Sequence, residues 1–383
     1  MKTSKQYLFC PGPVNIASNV KKATIANEIG HREPEFSTLL RNVNRKLLEV
    51  FEVRTKKLYH PVLITGSGTA ANEAILASAI GNRSILIISN GEFGERLIKI
   101  SQLHNKKTKS IKFAWAEQIN LEKIEKFIEK NKIEVLMMVH HETSSGMLNP
   151  IDRVGAMTKR LGVQFIVDAV SSAGVEKIDL ENWNISFCTT SSGKALGSLP
   201  GLGIIIGRVS DFNELANIKS KSIYLDLYNL YKYSRFSEQT PNTPAVQLVF
   251  ALDQALTNIL LVGVKNKRDY VRNMTELLRK EMKKMGFNFL IDEKLMCSML
   301  TTVVLPNSIQ IDRLRSELRT NNIIIYNGKG PFLNAVFQVG NIGNLNKRNI
   351  KYFLKSLKDT KGSFTNKEIV KKAYRNFRVP SQL

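Results

Sequence analysis

Residues 165–207 read FIVDAVSSAGVEKIDLENWNISFCTTSSGKALGSLPGLGIIIG, and the rest of the chain is arranged around them. Phe165, Ile166 and Val167 form an apolar run that ends in an acid, Asp168. After a short amphipathic interval, a second apolar run over 185–188 leads through Thr-Thr-Ser-Ser-Gly to Lys194. Each run is short, apolar and closed by small polar residues, the pattern of a buried strand. In a parallel sheet, groups at the carboxyl ends of strands converge on one crevice. Asp168 and Lys194 are therefore expected to share a site, with Ser191 and the neighbouring glycines around them. Singly, a strand-end acid and a lysine are ordinary surface features. As a pair they suit pyridoxal phosphate (PLP): the lysine forms the Schiff base, and the acid holds the pyridine nitrogen protonated.

Composition narrows the setting. A chain of 383 residues exceeds one comfortable core, and two domains are expected, a large one over 1–260 and a smaller one over 261–383. No apolar run approaches the roughly 18 residues that a spanning helix needs, so no membrane partner is expected. The N-terminal segment has too few apolar residues before Pro11 for a secretory signal. Cys10, Cys188 and Cys297 are far apart and odd in number, which fits neither a disulfide framework nor a zinc pattern. A reduced, cytoplasmic setting is the expectation. The net charge of +23 raises the question of nucleic acid. The lysines are spread along polar helix faces and loops, however, and no basic run is interleaved with aromatics that could stack bases. A solvated basic surface is expected, one that concentrates small anions near the cleft.

Taken in order, CPGPVN at residue 10 forms a rigid loop, since Pro11 and Pro13 fix φ and Gly12 permits close backbone approach. After GHREPEF (30–36), Phe36, Leu39, Leu40, Val43, Leu47, Leu48 and Phe51 recur at helical spacing, a core stripe. Residues 62–78 read as strand, glycine turn and helix. The free N–H groups at that helix start suit a phosphate, with Gly68 in the turn and Ser67 and Thr69 adding hydroxyls. Gly66-x-Gly68-x-x-Ala71 also fits a dinucleotide fingerprint. The next apolar run, 85–88, ends in Ser-Asn-Gly and lacks the acid that would hold a ribose, which favours a PLP phosphate cup. NGEFGERL (90–97) puts Phe93 in a loop, where an aromatic can stack on a pyridine ring.

A short amphipathic helix over 121–131 precedes a buried strand that ends in HHETSSG. His140 and His141 are adjacent on a strand and point to opposite faces, so no metal site is expected. A crossover helix over 152–162 enters the Asp168 strand, and this alternation predicts an α/β fold with a mainly parallel sheet. Beyond residue 207 the chain turns helix-rich. Pro241 and Pro244 stiffen the start of a helix over 245–256, and a long helix over 264–285 leads to a C-terminal α+β lobe. Its strands are read in LTTVVLP, NIIIYN and AVFQVG, and its helices near 308–321 and 345–358. The basic tail over 361–383 is compatible with a surface helix or with disorder.

The lysine stretch resembles that of the class V (fold type I) PLP-dependent aminotransferases, and the likeness runs from CPGPVN to VGNIG at 339–343. Within that class it is most similar to the 2-aminoethylphosphonate:pyruvate transaminases, and more distantly to alanine:glyoxylate and serine:glyoxylate aminotransferases. The resemblance implies ping-pong transamination. Lys194 would carry PLP, its freed amine would shuttle the proton, and Asp168 would make the ring an electron sink. The implied partners are a small amine donor, 2-aminoethylphosphonate or a relative, and a 2-oxo acid acceptor, pyruvate. The products would be phosphonoacetaldehyde and alanine. The resemblance also implies that the Gly12 loop lines the substrate pocket, that Phe93 is the stacking aromatic and that Thr143 contacts the ring oxygen. Thr243 would reach the phosphate held by the neighbouring subunit of a homodimer; from the residues alone it could equally be a plain helix N-cap.

At one position the chain departs from this pattern. The class typically reads Phe-Arg-x-Gly-x-x-Gly near the C-terminus, with the arginine clamping the substrate's anionic group. Here residues 337–343 read FQVGNIG, and Gln338 cannot supply a charged fork. Arg32 and Lys329 are the candidate replacements; otherwise the preferred substrate has changed. Gly193 also stands where relatives carry Asn or Gln. HREPEF and the VGNIG context favour the phosphonate branch over the glyoxylate one. A PLP-fold protein that binds an amine without turning it over would retain the same pair.

Overall fold

A computed structural model describes residues 5–364. Strand β1 (Tyr7–Leu8) and helix α1 (Ser18–Lys22) are followed by α2 (Pro34–Val50), on which the apolar stripe from Phe36 to Leu48 is buried. The chain then alternates β2 (Tyr59–Thr65), α3 (Gly68–Ser78), β3 (Ile85–Ser89), α4 (Glu92–His104), β4 (Thr108–Lys112), α5 (Leu121–Asn131) and β5 (Val135–Val139). A small hairpin, β6 (His141–Glu142) and β7 (Met147–Leu148), precedes α6 (Ile151–Arg160), β8 (Gln164–Asp168), β9 (Ile185–Ser191) and β10 (Leu202–Arg208).

Seven of these strands form one sheet in the order β2-β10-β9-β8-β5-β3-β4. Every neighbouring pair is parallel except the two made by β10, which runs antiparallel to β9 and β2. The short 192–201 connection permits that reversal, since an antiparallel neighbour needs no crossover helix. Helices cover both faces, so β3 and β5 are buried along their whole length and read as continuous apolar runs. Leu86, Leu136 and Phe165 join one core, while Ile87, Met137 and Ile166 join the other, as a two-residue period requires. Strand β9 continues past its apolar run through Thr189, Thr190 and Ser191. The β-branched threonines suit a pleated surface and pair with Ile205 and Ile204 of β10.

Beyond β10 lie α7 (Val209–Glu214), α8 (Leu227–Lys232), α9 (Val246–Val262) and α10 (Val264–Lys284). The two long helices meet at 84° around Gly263, whose φ of +89° few other residues adopt. Among the described residues, no single helix is long and apolar enough to cross a membrane. The C-terminal lobe adds β11 (Leu300–Val304), α11 (Ile311–Thr320), β12 (Ile323–Ile324), β13 (Tyr326–Asn327), β14 (Val336–Gly340) and α12 (Lys347–Phe364). Strands β11, β14 and β13 form an antiparallel sheet.

Two features differ from the sequence reading. NIIIYN breaks at Ile325, and its halves serve different sheets: β13 pairs with β14, whereas β12 pairs with β1. The N-terminal strand, placed with the large domain in the 1–260 division, therefore packs on the C-terminal lobe, where Phe9 stacks on Phe353 at 4.6 Å. That docking delivers the Pro11–Pro13 turn to the cleft, with the N–H of Gly340 bonded to the Phe9 carbonyl at 3.1 Å. The part of the basic tail beyond Phe364 lies outside the described residues.

Candidate active site

The carboxyl ends of β8 and β9 meet the start of α3 around a cavity of about 330 Å³. Asp168 is the last residue of β8, in register with Thr189 of β9, and Lys194 follows β9 by three residues. The Lys194 amine donates to the Pro11 carbonyl at 3.0 Å. A Cβ on Gly12 would lie 2.6–2.8 Å from the Lys194 side chain, and φ there is +143°, so the approach requires glycine. Asp168 accepts from the backbone N–H of Val170 at 2.9 Å and from the Asn72 amide at 2.7 Å. The Asn72 oxygen in turn accepts from the Thr189 hydroxyl at 2.6 Å. Among the described residues, Asp168 forms no ion pair.

Burial sets the titration of both groups. It raises the Asp168 carboxyl above the usual range, opposed by the bonds from Val170 and Asn72 and by the charges of Arg96 and Lys194. It lowers the Lys194 ammonium; Cys10 and Asp168 oppose this, whereas Lys329 and Arg96 add to it. The cavity thus holds an amine eased toward neutrality and a buried carboxyl that makes no direct ion pair among the described residues.

Beside the β8 end, α3 begins at Gly68 behind an extended Ser67 whose hydroxyl makes no capping bond. Ser67, Gly68 and Thr69 all line the cavity, where the unpaired N–H groups of the first turn suit an anion. A Cβ on Gly68 would meet a Val170 methyl at 2.5 Å, so this residue keeps the helix start tight against the β8 end. Thr143 and Ser191 also face the cavity.

Phe93 lines the cavity as well, but from the first turn of α4 rather than from a loop. The two glycines of NGEFGERL disguise that helix, and its cap comes from a distant residue. The fully buried carboxylate of Glu142 accepts from the N–H groups of Phe93 and Gly94, each at 3.1 Å, and from the Ser144 hydroxyl at 2.7 Å. This satisfies donors that a helix start leaves open. The polar lining residues beyond those expected include Asn72, His141, Ser171 and Arg96. His140 and His141 bond separate serines, Ser172 at 2.9 Å and Ser171 at 3.1 Å. Burial holds His140 at about 3 and His141 well below its ordinary value, so both rings are neutral. Only His141 faces the cavity, where its Nε2 has no partner among the described residues. Among the described residues, no cluster of three His, Cys, Asp or Glu could hold a metal.

Three expected residues lie elsewhere. Gln338 is buried in β14 opposite Thr302 and Tyr326, outside the cavity lining, and its amide nitrogen donates to the Thr143 carbonyl. Arg32 donates to the carbonyls of Thr240 at 2.6 Å and Pro241 at 2.9 Å, so it orders that loop and does not line the cavity. Thr243 is exposed on the same loop, two residues before the α9 N-cap, Ala245, and so is not itself the cap. The Gly193 departure has a local cause: a Cβ there would stand 2.8 Å from the Cα of Pro200.

A mainly parallel sheet carrying a strand-end lysine and acid, with a smaller lobe over the cleft, is the architecture of fold type I aminotransferases. The chain belongs to the class V aminotransferase family, whose model matches residues 16–339. It is 30% identical over 344 residues to an uncharacterized aminotransferase of Methanocaldococcus jannaschii, covering 88% of each chain. It is also 30% identical to a 2-aminoethylphosphonate–pyruvate transaminase of Bacillus cereus, covering 93% of this chain and 98% of that one. Among solved structures, an alanine–glyoxylate aminotransferase from Nostoc sp. superposes with a TM-score of 0.88 at 27% identity, covering 94% of this chain and 96% of the other. Family membership makes the chain a transaminase and implies PLP. The cavity fits that group through the buried Asp168 carboxylate, held by Val170 and Asn72, the uncommitted start of α3, the orphaned Nε2 of His141 and the Lys194 amine.

Proposed function

We propose that the protein transfers the amino group of 2-aminoethylphosphonate, or of a closely related small amine, to pyruvate, giving phosphonoacetaldehyde and alanine. One observation carries this reading: a single cavity holds Lys194, Asp168 and an anion-ready helix start together with a guanidinium, that of Arg96. Amine chemistry and recognition of an anionic substrate can thus share one site. The relatives named as 2-aminoethylphosphonate–pyruvate transaminases, about 30% identical over 93% of the chain, support the same choice of donor.

PLP, when bound, supplies the electron sink for the bond broken at the amine-bearing carbon. Lys194 would hold it covalently, Ser67, Gly68 and Thr69 would receive its phosphate, and Asp168 would meet the ring nitrogen. Thr143 and Ser191 would contribute hydroxyls, and Phe93 a stacking face. Lys194 Nζ is the group that moves the proton. Burial lowers its affinity for one, which favours the neutral amine a base must be. Pro11 and Gly12 hold that nitrogen in place. Asn72 and the Val170 N–H fix the Asp168 carboxylate so that it meets a cation without rearrangement. Thr243, on a loop ordered by Arg32, would reach the phosphate of a second subunit, making the active species a homodimer.

Purified holoprotein should form alanine from pyruvate fastest with 2-aminoethylphosphonate in a screen of amine donors, and it should sediment at about twice the chain mass. A higher kcat/KM for alanine with glyoxylate would instead select the glyoxylate branch, which the likeness to the Nostoc structure favours.

A further inference from the structure

We infer that the N-terminal turn of α4 and the loop carrying Lys329 form the receptor for the substrate's anionic end, with Glu92 as a built-in competitor. The inference rests on the transaminase reading above and deepens it. Arg96 lines the cavity, and its guanidinium carbon lies 4.7 Å from the centre of the Phe93 ring. The Lys329 ammonium lies 5.3 Å from the same ring, brought there from the opposite lobe. Glu92 stands between the two cations, 2.8 Å from Arg96 and 3.2 Å from Lys329. A carboxylate already bridging two cations shows what shape of ligand they accept: an anion with at least two oxygens.

The electrostatics agree with that placement. Two cations share one acid, which leaves an excess positive charge at the cavity edge. Both Arg96 and Lys329 lower the Lys194 ammonium, so their fields reach the amine where chemistry occurs. Lys329 does not itself line the cavity, which makes Arg96 the first contact and Lys329 a supporting charge. Arginine provides the planar fork that phosphonate or carboxylate oxygens match. Gln338 and Arg32 are committed to backbone carbonyls and leave this role open. An arriving dianion would displace Glu92, which is 28% exposed and can turn to water.

Binding of ethylphosphonate, which has no amine to transfer, tests the receptor apart from catalysis. Propionate, its carboxylate counterpart, is the second arm. With holoprotein in a calorimeter, Arg96→Gln should weaken ethylphosphonate binding by roughly 10-fold or more, the scale of one charge-assisted bond. Lys329→Met should weaken it by about 3-fold, as a screened charge would. Glu92→Gln should tighten it, a result that a merely structural Glu92 would not produce. A larger loss for ethylphosphonate than for propionate assigns the site to the phosphonate; equal losses assign it to any carboxylate or phosphonate. Unchanged binding in both Arg96→Gln and Lys329→Met, with 2-aminoethylphosphonate still turned over, overturns the receptor and leaves the function. Cation-dependent binding without turnover of 2-aminoethylphosphonate leaves the receptor and overturns the function.

Discussion

The floor of the cleft and its cationic edge are built on opposite principles. On the floor, Asp168, Asn72 and Thr189 are buried at or beside strand ends and linked in one chain of hydrogen bonds. At the edge, Arg96, Glu92 and Lys329 keep 40%, 28% and 46% of their side chains exposed and come from two lobes. A buried charge is costly unless its partners are in place, so the floor tolerates little change. Half-exposed charges are screened by water and weakly coupled, so they can be exchanged at small cost. The difference teaches where a transaminase can change substrate while keeping its chemistry. On our proposal the reaction sits on the buried floor and the choice of anion at the edge.

Breaking the floor should have the largest effect. Lys194→Ala should remove detectable turnover and the covalent cofactor adduct that borohydride fixes. If mass spectrometry mapped the adduct to another lysine, the floor would be misassigned. Asp168→Asn comes next, with turnover down by about 10²–10³-fold, the usual loss for a preorganised electrostatic partner. The same change should raise the melting temperature of the cofactor-free protein. The Asp168 pKa is raised by folding, so the native state holds its proton more tightly than the unfolded chain does. Stability of the cofactor-free form should therefore fall as pH climbs above the ordinary carboxyl range, and the asparagine variant should lack that slope. A slope of equal size in both proteins would show that Asp168 is not the group responsible.

Gln338 sharpens the comparison, since it is a buried residue at a position where the class binds substrate. Gln338→Leu strands the Thr143 carbonyl and should cost about 1–3 kcal/mol in a denaturant titration. Gln338→Arg should give no rise in kcat/KM for 2-aminoethylphosphonate, because residue 338 lies outside the cavity lining, buried behind the Thr143 backbone to which its side chain is bonded. A 10-fold rise would return anion recognition to β14. The smallest expected effect couples the two regions. Lys329→Met removes a positive charge that lowers the Lys194 pKa, so that pKa should move up. Lys194 of the cofactor-free variant should then react more slowly with an amine-acylating reagent near neutral pH than in the parent protein. An unchanged or faster rate would separate floor from edge.

Much of the floor was legible because its signals are local. An apolar run that ends in Asp168, another that leads to Lys194, and a glycine turn before α3 each announce a strand end or helix start within a few residues. The parallel order of those elements then brings their ends together. The edge was not legible in the same way. NGEFGERL carries two glycines and reads as a loop, and only the Glu142 carboxylate, some fifty positions away, shows that Phe93 and Arg96 begin a helix. Read as a helix, Glu92 and Arg96 would form an i,i+4 pair with Phe93 beside them, a signal that the loop reading hid.

By itself, then, the sequence determined the layered α/β class, the core stripe of α2 and the placement of Asp168 and Lys194 around one cavity. Those follow from residue period and burial, which act over a few residues. Tertiary structure alone decided that Tyr7–Leu8 joins the far lobe, that Ile325 splits one apolar run between two sheets, and that His141 rather than His140 faces the cavity. It also decided that Gln338 and Arg32 spend their donors on backbone carbonyls. A polar side chain takes whichever partner the fold brings within hydrogen-bond reach, and that partner is set by contacts between residues hundreds of positions apart.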